Sequence, residues 1–285
     1  MARAEISGIG IEYEVFGEGP LAVITPGGRF SKDTPGVREL AQELAANGFT
    51  AAIWDRPNCG ASDICFEAES ESILNADVQA ELIRHLGRGP AYLVAGSAGS
   101  RVALLTAARR PDVVSRMFLL WISGGPISLA SLGAFYTEGQ AMAAITGGME
   151  AVAAMPQWQE QLAKNPGNRD RILAQDPERF VETMQRWCAA FFPTAGSPVP
   201  GLSPQDFAAM RMPVMVLRSG KSDLYHTRET SEQVHALIPG AKLAEPPEGW
   251  PDTEWNDRMA AAAQGEGLFA RWPQLAPQIL AFAKS

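Results

Sequence analysis

The run Ala95-Gly96-Ser97-Ala98-Gly99 sets a serine among small residues, directly after the apolar stretch Ala91-Tyr92-Leu93-Val94 and ahead of a helix-forming segment. A strand that turns at once into a helix leaves the Ser97 hydroxyl exposed, in a strained backbone conformation whose flanks tolerate no bulk. The same turn puts the Ala98 N–H at a helix N-terminus, where it can stabilise an oxyanion. The chemistry implied is attack by Ser97 on a carbonyl. An ordinary glycine-rich turn would use the same residues, and the flanking strand and helix favour the catalytic reading.

A serine hydroxyl is a poor nucleophile at neutral pH without a base. The chain offers three histidines, His85, His226 and His235. His85 and His235 fall inside helical stretches and read as surface or helix-end residues. His226 lies in a loop after a late apolar strand, on the carboxyl edge that also carries Ser97. It is either a base that reaches the serine or a solvent-facing residue at a helix start.

These residues need a scaffold, and the sequence spells one out. Strands are predicted near Ala4 to Ile9, Ile11 to Phe16, Leu21 to Thr25 and Thr50 to Trp54. The first two form a hairpin, and the third, without polar alternation, belongs in the middle of the sheet. Helices follow from about Gly36 to Asn47, Ser70 to Leu86 and Ser100 to Arg110. This alternation marks a mostly parallel α/β sheet flanked by helices. After a strand at Met117 to Ile122, the text turns helical from about Ser123 to Met210, broken by Pro156, Pro166, Pro177 and Pro193. A strand returns at Pro213 to Leu217, followed by a helix from about Thr227 to Leu237, a short strand near Lys242 to Ala244 and a last helix from about Trp272 to Phe282. The expected division is a core over residues 1–122 and 211–285, with a helical cap insertion over 123–210.

With this order, the chain resembles the α/β-hydrolase superfamily, in the branch with a helical cap. The resemblance rests on Ile24-Thr25-Pro26-Gly27-Gly28, on Trp54-Asp55-Arg56-Pro57-Asn58-Cys59-Gly60-Ala61-Ser62-Asp63, on the turn at Ser97, and on Arg218-Ser219-Gly220-Lys221-Ser222-Asp223. It implies that Gly28, with Gly27 as a substitute, supplies the second oxyanion amide although Pro26 stands where the family has histidine. Arg29 and Lys32 follow directly and could hold an anionic or carbonyl group of a substrate, although a solvated basic loop is the favoured reading. Asp223 falls where the family carries the acid that orients the histidine, and a turn or capping role is the alternative. Asp55 and Asp63 are structural by the same resemblance.

One part of the family pattern is missing. The loop after the last strand, Glu245-Pro246-Pro247-Glu248-Gly249-Trp250-Pro251-Asp252-Thr253-Glu254-Trp255, holds no histidine, and Trp250 stands near its place, beside the substrate. Three readings remain: His226 is a relocated base, a carboxylate such as Glu248 or Asp252 replaces it, or the protein is a lyase-type enzyme or a small-molecule binding protein. The leading expectation is a hydrolase of small, mostly apolar or aromatic esters, amides, lactones or C–C substrates. Phe135, Tyr136, Met142 and Met149 are available to line its pocket, whereas Phe180, Met184, Trp187 and Phe191 share one helix face and suit packing.

Composition narrows the partners. Of 285 residues, 46% are hydrophobic and 20% charged, enough apolar material for a large buried core. The net charge of -8 argues against a nonspecific grip on nucleic acid. No apolar run approaches the roughly 20 residues of a membrane helix, and the N-terminal residues lack a signal-peptide core, so a cytoplasmic setting is expected. Cys59, Cys65 and Cys188 show no CxxC spacing, so incidental thiols are expected, and no metal or cofactor motif is present. A small-molecule substrate is the expected partner, and a homodimer is left open.

Overall fold

Eight runs of apolar and β-branched residues pair into one sheet in the order β1-β2-β4-β3-β5-β6-β7-β8. The strands are β1 Ala2–Ile6, β2 Ile9–Phe16, β3 Leu21–Thr25, β4 Thr50–Trp54, β5 Ala91–Gly96, β6 Val114–Leu120, β7 Val214–Leu217 and β8 Lys242–Ala244. The hairpin β1-β2 and its join to β4 are antiparallel; all other pairings are parallel. The computed structural model describes residues 1–248, 250 and 254–285.

Every residue of β3, β4 and β5 is buried, because helices cover both faces of the sheet. On one face lie α1 (Val37–Ala46) and, at the end of the chain, α11 (Ala276–Ala283). Their Leu40, Leu44, Ile279 and Phe282 meet Ile24, Ile53 and Phe118. The other face is covered by α2 (Glu71–Leu86) and α3 (Ala98–Arg109), whose Leu82, Val102 and Leu105 meet Val23, Leu93 and Leu119. Between β6 and β7 the described chain forms helices alone: α4 Pro126–Ala153, α5 Gln159–Lys164, α6 Gly167–Leu173, α7 Pro177–Ala189 and α8 Pro204–Ala209, with one short 3-10 turn. These have a separate core in which Phe180, Met184, Trp187 and Met149 close around Trp158 and Phe66. Of the expected packing face, Phe180, Met184 and Trp187 lie in this core, whereas Phe191 falls past the end of α7 and lines a cavity; of the residues expected in the pocket, Met149 is packed in this core instead and Met142 is exposed.

Two strand ends differ from the sequence reading for local reasons, and one helix is new; β2 and β6 also begin earlier than expected, at Ile9 and Val114. The first strand ends at Ile6 because Ser7 (φ 53°) and Gly8 (φ 77°) make a turn with two left-handed residues, the geometry that fits a two-residue hairpin loop. The strand expected to reach Ile122 stops at Leu120 because Trp121 has φ 48°. A helix that was not foreseen, α10 (Trp255–Ala263), follows β8 and α9 (Arg228–Leu237).

The parallel neighbours β5, β6 and β7 end on the same edge of the sheet. They bring together Ser97, the segment Trp121 to Ser123, and the loop after Leu217, and the fold's chemistry collects there.

Candidate active site

Ser97 has φ 57° and ψ -128°, a strained conformation for a side-chain-bearing residue, and it lies between the last residue of β5 and the first of α3. Its neighbours show why the flanks are small. A Cβ on Gly99 would lie 2.2 Å from the Thr25 carbonyl oxygen, and one on Gly96 would lie 2.6 Å from the Trp272 ring. The Gly99 clash is with backbone, which cannot swing aside. We expect Gly99→Ala to destabilise the protein by roughly 2–3 kcal/mol, read from the midpoint of a urea titration. An unchanged midpoint would mean that β3 and α3 can separate without cost.

His226 reaches the serine. Its Nε2 lies 2.8 Å from Ser97 Oγ, and its Nδ1 lies 3.0 Å from Asp223 Oδ2 and 3.2 Å from Oδ1. One turn creates both relations: Asp223 Oδ1 accepts the backbone N–H groups of Tyr225 (3.0 Å) and His226 (2.9 Å). A side-chain carboxylate that closes its own turn is what aspartate does well. Here the turn folds the imidazole back onto the carboxylate that shaped it. The loop is held over Ser97 by the N–H of Gly124, which donates to the Tyr225 carbonyl (3.3 Å), and by Ser128 Oγ, which donates to that oxygen (3.0 Å).

Electrostatics sets the protonation states. Burial disfavours the imidazolium and lowers the His226 pKa, aided by the Arg258 charge and opposed by Asp223. Burial alone would raise the Asp223 pKa, but His226 and Arg258 outweigh it and hold the carboxyl below its usual range. Arg258 comes from the unforeseen helix α10: its Nη2 meets Asp223 Oδ2 and its guanidinium lies 4.4 Å from the Trp121 ring centre. Sequence reading missed Arg258 because nothing marked a helix between the last strand and the one expected from about Trp272.

The amides expected to form the oxyanion hole are fixed in direction. Arg56 Nη2 donates to the carbonyls of Gly27 (3.1 Å) and Gly28 (2.6 Å). In a trans peptide the N–H opposes the C=O, so the Gly28 N–H points away from Arg56. Ala98 is the first residue of α3, where the N–H has no partner within the helix. Gly27 packs directly on Ser97, with a notional Cβ 2.4 Å from Ser97 Cβ. Unlike Gly28, it is not among the residues that line the cavity at Ser97.

A cavity of about 670 Å³ opens at Ser97. Ala98, Gly28 and His226 share its wall with Trp121, Phe135, Tyr136, Leu129 and Phe269 from the surrounding elements. Arg29 also lines it, but its guanidinium is paired with Glu71 (Nε–Oε1 3.0 Å) and lies over the rings of Trp158 and Tyr136. Two expectations are corrected. Trp250 is not among the lining residues: it is buried behind Trp121, stacked at 5.6 Å between ring centres. Lys32 is buried against Glu14 (3.4 Å) and Asp33 (3.0 Å) rather than facing substrate. Cys59 lines the cavity as a thiol whose pKa burial pushes up to about 11, so it stays protonated.

The remaining candidates lie elsewhere. His85 is exposed beside the Tyr13 hydroxyl (3.1 Å) and His235 is in the last turn of α9. Glu248 is exposed, and Asp252 lies outside the described residues. Asp55 and Asp63 hold loops: Asp55 accepts the N–H groups of Lys32 and Ala61, and Asp63 pairs with Arg3 and Arg171. Ser123, unremarked in the sequence, places its Oγ 3.5 Å from Ser97 Oγ. Among the described residues no group of His, Cys, Asp and Glu could hold a metal ion, and no helix is long and apolar enough to cross a membrane.

Residues 22–262 match the alpha/beta hydrolase family, and the chain belongs to it. A curated relative, the uncharacterized hydrolase YraK of Bacillus subtilis, is 27% identical over 114 residues, which span 40% of this chain and 41% of that protein. The match therefore covers less than half of that relative. Among solved structures, the enol-lactonase of Burkholderia xenovorans superposes with a TM-score of 0.59 at 18% identity, covering 100% of both chains. The meta-cleavage product hydrolase of Pseudomonas fluorescens gives 0.59 at 19%, covering 99% of this chain and 98% of that one. A thermophilic esterase from Thermogutta terrifontis gives 0.57 at 20%, covering 93% and 97%. At these identities the likeness is one of fold.

Proposed function

We propose that this protein is a cofactor-independent serine hydrolase that cleaves small, mostly apolar or aromatic esters, lactones, amides or C–C substrates. The observation that carries the reading is the unbroken line from Asp223 through His226 to Ser97 Oγ, with 3.0 Å and 2.8 Å contacts. In this reading His226 Nε2 takes the proton from Ser97 as Oγ attacks a carbonyl carbon, and Asp223 holds Nδ1–H and balances the imidazolium. The Gly28 and Ala98 amides receive the oxyanion. His226 then returns the proton to the leaving group, and water, activated by the same nitrogen, releases the acyl group from Ser97. The helices between β6 and β7 act as the cap that keeps bulk water out of the cavity. Free thiols at Cys59, Cys65 and Cys188 suit a cytoplasmic setting.

The test is covalent. Intact mass after exposure to an active-site fluorophosphonate should show one adduct on wild type and none on Ser97→Ala. No adduct on folded wild type would overturn the serine mechanism and favour a lyase-type or binding role.

A further inference from the structure

The cavity has a charged end that the chemistry above does not use. Arg56 and Arg101 both line it and both are almost fully buried. Neither forms an ion pair with a carboxylate among the described residues. Arg56 donates to the carbonyls of Gly27 and Gly28. Arg101 donates from Nε to the Pro200 carbonyl (3.2 Å) and from Nη2 to the Ala190 carbonyl. Its Nη1 makes no hydrogen bond among the described residues, and its guanidinium lies 5.0 Å from the Phe191 ring centre. The nearby carboxylate, Glu71, is engaged by Arg29 Nε and Nη2 and by Asn58 Nδ2.

Three arginines therefore face one carboxylate, and the surplus positive charge is buried next to Ser97. Arg101 is one helical turn beyond Ser97 on α3, and its N–H bonds the Ser97 carbonyl. Carbonyl dipoles alone offset a buried charge poorly, which is why a lone buried ion normally carries a counter-ion. Burial lowers the Arg101 pKa to about 10, still far above neutrality, so the charge persists. A planar guanidinium with one open edge matches a planar carboxylate.

Resting on the hydrolase reading for the site, we propose that the substrate carries a carboxylate that docks on Arg101 at this end of the cavity, with Arg56 adding to the field. The substrate class is then a small acid whose scissile ester, lactone or C–C bond lies near Ser97 and whose apolar part faces Trp121, Leu129 and Phe269.

Two measurements decide it. For wild type, kcat/KM for the para-nitrophenyl ester of glutaric acid with its second carboxylate free should exceed that for the methyl-capped neutral diester by about tenfold or more. In Arg101→Gln that acid-to-neutral ratio should fall by about tenfold, with Arg101→Lys falling between. A wild-type ratio at or below one overturns the proposal. Independently of turnover, Ser97→Ala should show a higher Tm with succinate, glutarate or adipate than with the matching diamides. If Arg101→Gln does not fold, the wild-type ratio and this Tm comparison still decide. Carboxylates that stabilise Ser97→Ala while wild type cleaves no ester would sustain the subsite and sink the hydrolase reading. Stabilisation by inorganic phosphate and by no carboxylate would overturn the carboxylate assignment.

Discussion

Replacement of His226 with alanine is expected to lower kcat/KM by about ten-thousand-fold. The effect is large because the imidazole is the one base in hydrogen-bond reach of Ser97 Oγ among the described residues, and Ser123, the other neighbour, is a hydroxyl. The backbone N–H that closes the Asp223 turn survives in the variant, so the loop should keep its shape. The wild-type pH profile gives a linked expectation. His226 must be neutral to accept the serine proton, and burial lowers its pKa from the ordinary 6.5. Activity should therefore climb with pH through an apparent pKa below 6.5 and stay level above it, and the plateau should reach further into acid than an exposed histidine would permit. A variant that retains more than about a tenth of wild-type kcat/KM would show that another group takes the proton.

Asp223→Asn should cost a similar factor, about ten-thousand-fold, for a different reason. The carboxylate accepts from Tyr225 N–H, His226 N–H, the His226 ring and Arg258. An amide has one acceptor oxygen and a donating NH2 in place of the second. With the oxygen kept by the turn at the Oδ1 position, the NH2 takes the Oδ2 position, where it faces both the Arg258 guanidinium and His226 Nδ1, which must then be the unprotonated nitrogen. That tautomer carries its proton on Nε2 and cannot accept from Ser97. The change is also expected to weaken the buried pair with Arg258 and lower Tm, so circular dichroism at the assay temperature should accompany the kinetics. Near-normal kcat/KM in a folded Asp223→Asn would remove the orienting role.

The parts of this molecule that depend on short stretches of sequence were readable in advance. The apolar β5, the small flanks of Ser97 and the helix after it share one local pattern, and the parallel sheet follows from strands that lack polar alternation. The Asp223–His226 spacing was also visible, but whether the ring faces Ser97 depends on Gly124 and Ser128, which lie about a hundred residues earlier and pin that loop across the sheet edge. Arg258 was hidden for the opposite reason: α10 lacks a side-chain cap at its N-terminus, and its contact with Asp223 is tertiary. Trp250 illustrates how sequence position misleads. It follows the last strand, as a site residue would, yet its bulk packs beneath Trp121 because an apolar ring gains more from a closed stack than from a wet wall.

In the proposed mechanism acid and base share one four-residue turn, Asp223 to His226, and this has an architectural consequence. Where the two arrive from separate connections, every change in either connection must preserve their alignment. Here the alignment is internal to a single cassette whose bearings are the Asp223 carboxylate and the Gly124 amide. The connection after β8 is released from carrying the base; its tie to the pair is Arg258 on α10, and the stretch around that contact becomes adjustable for shaping the cavity's rim.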